Sequence, residues 1–128
     1  MKAYDDHDLP GTMAIFDPGV KFEFQGSPDQ TYKDLEQGYM RSFARPGRAT
    51  WVPTWDQVLV SDSLATAFST WQAIVTEPGG KPEVRAENRG VDVLQRGDDC
   101  RWRIVHSLNF PVTAIAPWSN KRSAHRPP

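Results

Sequence analysis

Arg89-Gly90-Val91-Asp92-Val93-Leu94-Gln95-Arg96, then Gly97-Asp98-Asp99, then Arg101-Trp102-Arg103-Ile104-Val105-His106-Ser107, reads as two strands joined by a polar turn. Both arms are rich in β-branched and aromatic residues and alternate with a period of two, as a strand does when its faces meet different surroundings. Alternation puts Trp102, Ile104, His106 and Leu108 on one face of the second arm, and Glu87, Arg89, Val91 and Val93 on one face of the first. The apolar members argue that these are the inner faces. Pairing across the Gly97 turn then sets Arg89 about opposite His106.

Upstream, the same period continues. Glu83 to Gln95 is preceded by a Pro78-Gly79-Gly80 turn, Leu64 to Thr76 forms another strand bearing Trp71, and Thr50 to Ser61 alternates around Pro53. A proline lacks the N–H that a ladder needs, so this last strand belongs at an edge or a bulge. Ahead of the strands the period changes. Leu35, Tyr39, Met40 and Phe43 recur at helical spacing and predict a helix from Tyr32 to Phe43. Asp8 and Pro10 are a cap and a first-turn proline for an earlier helix, whose apolar stripe is Met13, Ile15 and Phe16. Asp17-Pro18-Gly19 ends it, and Val20-Lys21-Phe22-Glu23-Phe24 follows as a half-buried strand with Val20, Phe22 and Phe24 inward. Helices first and a long antiparallel meander afterwards is the α+β pattern, with a curled sheet wrapped over the helices.

The chain's 128 residues, 38% hydrophobic and 24% charged, suit one folded domain, here residues 1–112, followed by a basic, proline-ended tail over 113–128 that is expected to be disordered from about 119. A net charge of −1 gives no electrostatic reason to bind nucleic acid or an anionic membrane. Cys100 is the single cysteine, which excludes an intrachain disulfide and suits the reducing cytoplasm. No apolar run reaches the roughly 18 residues of a membrane span. His7 lies among Asp5, Asp6 and Asp8, yet ligands adjacent in sequence rarely converge, so no metal is expected. No Gly-rich phosphate loop or nucleophile elbow occurs, and no cofactor is implied.

The hairpin phrase from Arg89 to Ser107 resembles the C-terminal hairpin of ketosteroid isomerase-like and SnoaL-like domains, within the nuclear transport factor 2-like superfamily. Asp8-Leu9, Phe16-Asp17-Pro18 and the helix ending near Phe43 resemble the usual beginning of such domains. The resemblance implies a cone, in which a strongly curved sheet wraps a long helix and leaves an apolar pocket at the wide end. Some members are isomerases, cyclases, dehydratases or epoxide hydrolases; others only bind; many are homodimers joined through the outer sheet face. The sequence departs from the pattern twice. The residues here begin near the end of the long first helix, so either that wall is short and the pocket open, or the beginning aligns elsewhere. The basic aspartate of ketosteroid isomerases would fall near Phe22, so that carboxylate is absent.

On this reading Glu87, Arg89 and His106 form the candidate catalytic trio, with Arg89 polarising an oxyanion, Glu87 orienting it and His106 moving a proton. A buried Glu–Arg pair beside a hydrogen-bonded histidine is more often a structural arrangement, and both readings stand at this point. Phe22, Phe24, Tyr39, Asp56, Trp71, Val91 and Leu108 are the expected binding residues. Asp56 shares the phase of Val58 and Val60 but follows Pro53, which leaves its face open. Trp51 and Trp55 share a face opposite Val52, Thr54 and Val58. If the valines are inward, the two indoles lie on the outer sheet face, where a homodimer would cover them; packing beneath the 44–48 loop is the alternative. Three functions follow: a cofactor-independent acid–base enzyme on an apolar oxygenated small molecule, a non-catalytic binder of a small hydrophobic molecule, or a protein-interaction domain.

Overall fold

The computed structural model describes residues 2–112, so the expected tail over 113–128 lies outside the described residues. Two short helices open the chain, α1 (Lys2–Asp5) and α2 (Leu9–Met13), joined through His7 in a left-handed conformation (φ 56°). Asp8 caps α2 as the sequence requires, its carboxylate accepting the Gly11 N–H at 3.0 Å. The helix stops at Met13, however, and Phe16 begins strand β1 (Phe16–Phe24) instead of completing a helical stripe. Tertiary pairing decides this: Phe16 lies beside Ile104 of the last strand, and the Ile104 N–H donates to the Ile15 carbonyl at 2.8 Å. Asp17-Pro18-Gly19 interrupts β1 rather than preceding it, since the ladder is irregular between Phe16 and Lys21.

Helix α3 (Tyr32–Phe43) has a reciprocal cap: the Asp34 N–H donates to Thr31 Oγ1, and the Thr31 N–H donates to the Asp34 carboxylate. Four long strands follow, β2 (Arg48–Ser61), β3 (Leu64–Thr76), β4 (Glu83–Arg96) and β5 (Trp102–Pro111). The sheet order is β1-β5-β4-β3-β2; neighbours from β2 to β5 are antiparallel, while β1 runs parallel to β5. The result is an α+β cone, an open and strongly curved sheet with the helices on its concave side. Pro53 lies in β2, which pairs only with β3, so its missing N–H costs no ladder bond on the free edge. Among the described residues no helix is long and apolar enough to cross a membrane.

Met13, Phe16, Val20 and Leu35 form the buried core, with Leu9, Phe22, Tyr32, Tyr39 and Ile104 packed against them. Three bulges bend the sheet around it: between Trp55 and Gln57 of β2, between Ala73 and Ile74 in the β3–β4 ladder, and between Val93 and Leu94 in the β4–β5 ladder. Each extra residue increases the local twist and reverses the inward–outward phase beyond it. The last bulge inserts Val105 between Ile104, opposite Leu94, and His106, opposite Val93. Arg89 therefore pairs with Phe110, not His106. The expected register misjudged the connection, because β4 and β5 first pair at Arg96 and Trp102, leaving residues 97–101 in the turn.

Candidate functional site

The concave side encloses a cavity of about 360 Å³. Aromatic rings from every layer wall it: Phe16, Phe22 and Phe24 on β1, Tyr4 on α1, Tyr39 on α3, Trp51 on β2 and Trp71 on β3. Leu35 and Ile104 close its deep end against the core. Alternation of β1 sends Phe22 and Phe24 inward as the sequence predicts, and helical spacing on α3 turns Tyr39 toward them.

The polar groups are concentrated on β4 and β5. Asp92 is 8% exposed and lines the cavity, where its Oδ1 accepts the Ser107 hydroxyl at 2.5 Å. Ser107 Oγ in turn accepts from Asn109 Nδ2 at 2.8 Å. Trp71 Nε1 donates to Ser69 Oγ at 2.8 Å, which fixes the indole against the sheet. Among the described residues no side chain or backbone group bonds Asp92 Oδ2. Burial pushes the Asp92 carboxyl above the ordinary carboxylate value, against the opposing pull of the Ser107 hydrogen bond. Burial likewise pushes the Tyr39 phenol up to about 12, assisted by the nearby Tyr4 and by the charge of Asp92. Tyr39 therefore remains an O–H donor throughout the neutral range. Among the described residues, the ionisable side chains in the lining are Tyr4, Asp34, Tyr39 and Asp92, all acids.

The structure brings four of the expected site residues to this cavity, Phe22, Phe24, Tyr39 and Trp71. It places the expected trio elsewhere. His106 is on the convex face, its Nε2 within 2.5 Å of Glu23 Oε2, because the bulge at Val105 separates its phase from that of Ile104. Glu87 is also convex and accepts from Gln72 Nε2 at 3.2 Å, while Arg89 is exposed opposite Phe110. Val91 and Leu108 pair with each other on that same convex face. Asp56 is exposed at the β2 bulge and accepts the Thr70 hydroxyl at 3.0 Å. The inner-face assignment assumed one unbroken phase per strand, and the apolar residues that suggested it cover the convex face instead.

The tryptophans are corrected in the same way. Trp51 lines the cavity and Trp55 meets Trp71 edge-on, with centroids 5.7 Å apart, so neither indole lies on the outer face. Val52 and Thr54 point out instead, and the bulge returns Val58 and Val60 to the phase of the buried Ala67 and Ala65. At the chain start each acid is already engaged: Asp5 accepts from Thr50 Oγ1, Asp6 pairs with Lys2, Asp8 caps α2, and His7 stacks on Phe43.

Asp92, Ser107, Asn109, Asn88 and Trp51 were not anticipated as lining residues. A signal was present in the hairpin itself. Gly90 and Asp92 interrupt the valines of β4 at a period of two, and Ser107 and Asn109 do the same on β5. Small and polar residues in phase across two paired strands mark a polar strip, here facing the cavity.

No family model and no curated protein matches the chain. Solved structures do. A ketosteroid isomerase-like protein from Erwinia carotovora atroseptica superposes with a TM-score of 0.68 at 16% identity, over 88% of this chain and 87% of that one. An NTF2-like protein from Streptomyces avermitilis, for which a dehydratase activity has been proposed, gives 0.72 at 18% identity over 88% of each chain. An NTF2-like protein with a cystatin-like fold from Novosphingobium aromaticivorans gives 0.70 at 14% identity, over 90% of this chain and 76% of that one. The chain thus has the nuclear transport factor 2-like fold, as its hairpin phrase suggested; likeness at this identity concerns the fold.

Proposed function

We propose that the chain binds an apolar, oxygenated small molecule in the concave cavity and exchanges a proton with it through Asp92, as an isomerase, cyclase, dehydratase or hydrolase would. Asp92 carries this reading. A carboxyl 8% exposed in an aromatic cavity, with one oxygen held by Ser107 and the other bonded by no group among the described residues, is a group that a ligand can engage. A carboxyl with a raised pKa divides its time between acid and base nearer to neutrality than an ordinary aspartate does. The Tyr39 phenol would donate a hydrogen bond to the ligand oxygen, and the aromatic walls would hold its rings. Proton transfer of this kind needs a carboxyl and a phenol, with a water as reactant where the reaction is a hydrolysis. The fold likeness to a ketosteroid isomerase-like protein and to a protein with a proposed dehydratase activity points in the same direction.

Binding without turnover is the second reading, favoured by the apolar walls alone. A purely structural cone is less well supported, because Phe16 and Tyr39 stand in the wall and leave the interior open. The test of the cavity uses its own tryptophans. Titration with 2-naphthol should quench fluorescence of Trp51 and Trp71, and Gly38→Phe should abolish the quenching. Gly38 lines the cavity on α3, and nothing lies closer than 3.8 Å to a Cβ placed there, so the new ring can fill the space without breaking the helix. Replacing a mid-helix glycine stabilises by up to about 1 kcal/mol. Undiminished quenching in a folded Gly38→Phe protein would refute the cavity as the binding site.

We also propose that the convex face joins two copies of the chain. It carries Val52, Leu108 and Phe110 at 43%, 46% and 37% exposure, apolar side chains that a second copy would cover. Light scattering at micromolar concentration is expected to give a dimer mass, and Leu108→Glu a monomer. A monomeric wild-type protein would refute this. The lone Cys100 supports a reducing location such as the cytoplasm.

A further inference from the structure

We propose that Asn109 is a positioning residue, which fixes the direction of the hydrogen-bond chain Asn109–Ser107–Asp92 and thereby leaves Asp92 Oδ2 as the oxygen that exchanges a proton; Gly90 is the gap that lets it do so. The proposal rests on the reading of Asp92 as the reactive carboxyl. Its basis is geometric. Ser107 lies directly across the ladder from Asp92, and Asn109, two residues on, shares the face of Ser107. A serine hydroxyl has one proton and can accept as well as donate. Because Asn109 Nδ2 donates to Ser107 Oγ at 2.8 Å, the hydroxyl proton is directed to Asp92 Oδ1 at 2.5 Å.

Two features hold the Asn109 amide in the orientation that makes this work. Its Nδ2 also faces the Glu23 backbone carbonyl at 3.5 Å, and a carbonyl can only accept. Its Oδ1 lies over Gly90, which is its direct partner in the ladder; a Cβ at that position would come within 2.7 Å of Oδ1. Any side chain at position 90 would therefore displace the amide. Were the amide reversed, Oδ1 would accept the Ser107 proton, and Asp92 would have to be protonated at Oδ1 to bond the hydroxyl. Amide direction and the protonated oxygen of Asp92 are thus coupled. The ionisable groups that share the cavity with Asp92 are Tyr4 on α1 and Asp34 and Tyr39 on α3; the lining residues of β1, β2, β3 and β5 add none.

The experiment is a carboxyl carbon NMR titration of Asp92 in the full chain. Asn109→Leu frees the Ser107 hydroxyl to turn away, and it should move the Asp92 midpoint to higher pH. Ser107→Ala should move it further, since it removes the bond itself. Asn88→Leu, an equal loss of amide polarity in the same cavity, should leave it unmoved. Gly90→Ala keeps Asn109 but displaces its amide, and should shift the midpoint in the same direction as Asn109→Leu. An unchanged midpoint in Asn109→Leu and Gly90→Ala, or an equal rise in Asn88→Leu, overturns the proposal while leaving the function of Asp92 standing. The expected shifts together with turnover that survives loss of the Asp92 carboxyl would instead keep the hydrogen-bond chain and sink the proposed function.

Discussion

Asp92→Asn is expected to lower turnover of any oxygenated substrate by about a hundredfold or more, the usual contribution of a positioned acid or base. Affinity for an apolar probe should change far less, because the rings of Phe22, Phe24, Tyr39, Trp51 and Trp71 supply most of the contact surface. The same substitution should stabilise the protein at neutral pH. Burial raises the Asp92 pKa above its ordinary 3.8, so between that value and the native one the folded state binds more protons than the unfolded state. The corresponding stability is fully present in acid and is lost as pH rises through the native pKa. Each unit by which a native pKa is raised costs the fold about 1.4 kcal/mol at neutral pH. Asparagine cannot ionise, and its carbonyl can still accept from Ser107, so the variant escapes this cost. Urea midpoints at pH 7 should therefore rise in Asp92→Asn, and the difference from wild type should shrink toward pH 3. Unimpaired turnover would remove Asp92 from the chemistry, whereas lower stability at neutral pH would identify it as a structural group.

Phe16→Ala is expected to destabilise the fold by about 3–5 kcal/mol, a large part of the roughly 5–15 kcal/mol that holds a domain together. Phe16 is 5% exposed, packs with Met13, Val20 and Leu35, and lies 6.3 Å from the Tyr39 ring. It also begins β1 at the point where that strand meets Ile104, just before the interruption at Asp17-Pro18-Gly19. β1 is an edge strand whose one strand neighbour is β5, so its attachment depends heavily on such side-chain packing. Because Phe16 borders the cavity, truncation enlarges a space that water can enter, and the loss should fall toward the lower end of the range. Denaturant unfolding monitored by circular dichroism measures it. A loss below about 1 kcal/mol would show that the core around Met13 and Leu35 does not depend on this ring.

The sequence by itself determined what local chemistry controls. Asp8 and Pro10 mark a helix start because a cap and a first-turn proline meet needs of that one turn, and α2 begins there. Leu35, Tyr39 and Phe43 recur at the helical period, and α3 spans Tyr32–Phe43 as expected. The strand-turn-strand phrase from Arg89 to Ser107 was legible because alternation and turn residues are properties of short segments, and with it came the fold. Phe22, Phe24, Tyr39 and Trp71 followed, since each lies on the apolar side of an element with an unbroken period up to the cavity.

Only the tertiary structure decided which face of each long strand looks inward. The bulges at the end of Trp55 and at Val105 arise from how two strands meet, and no residue type within one strand announces them. Because the side-chain period is two, one inserted residue exchanges the faces of everything beyond it. That single step put His106 beside Glu23 on the convex face and turned Ser107 and Asn109 toward the cavity. It also explains why valines and leucines misled: the convex face is apolar too, so hydrophobicity alone could not tell it from the interior. Asp92, read as the outward partner of Val91 and Val93, became the buried carboxyl because curvature, which belongs to the whole sheet, closed over its side of the strand.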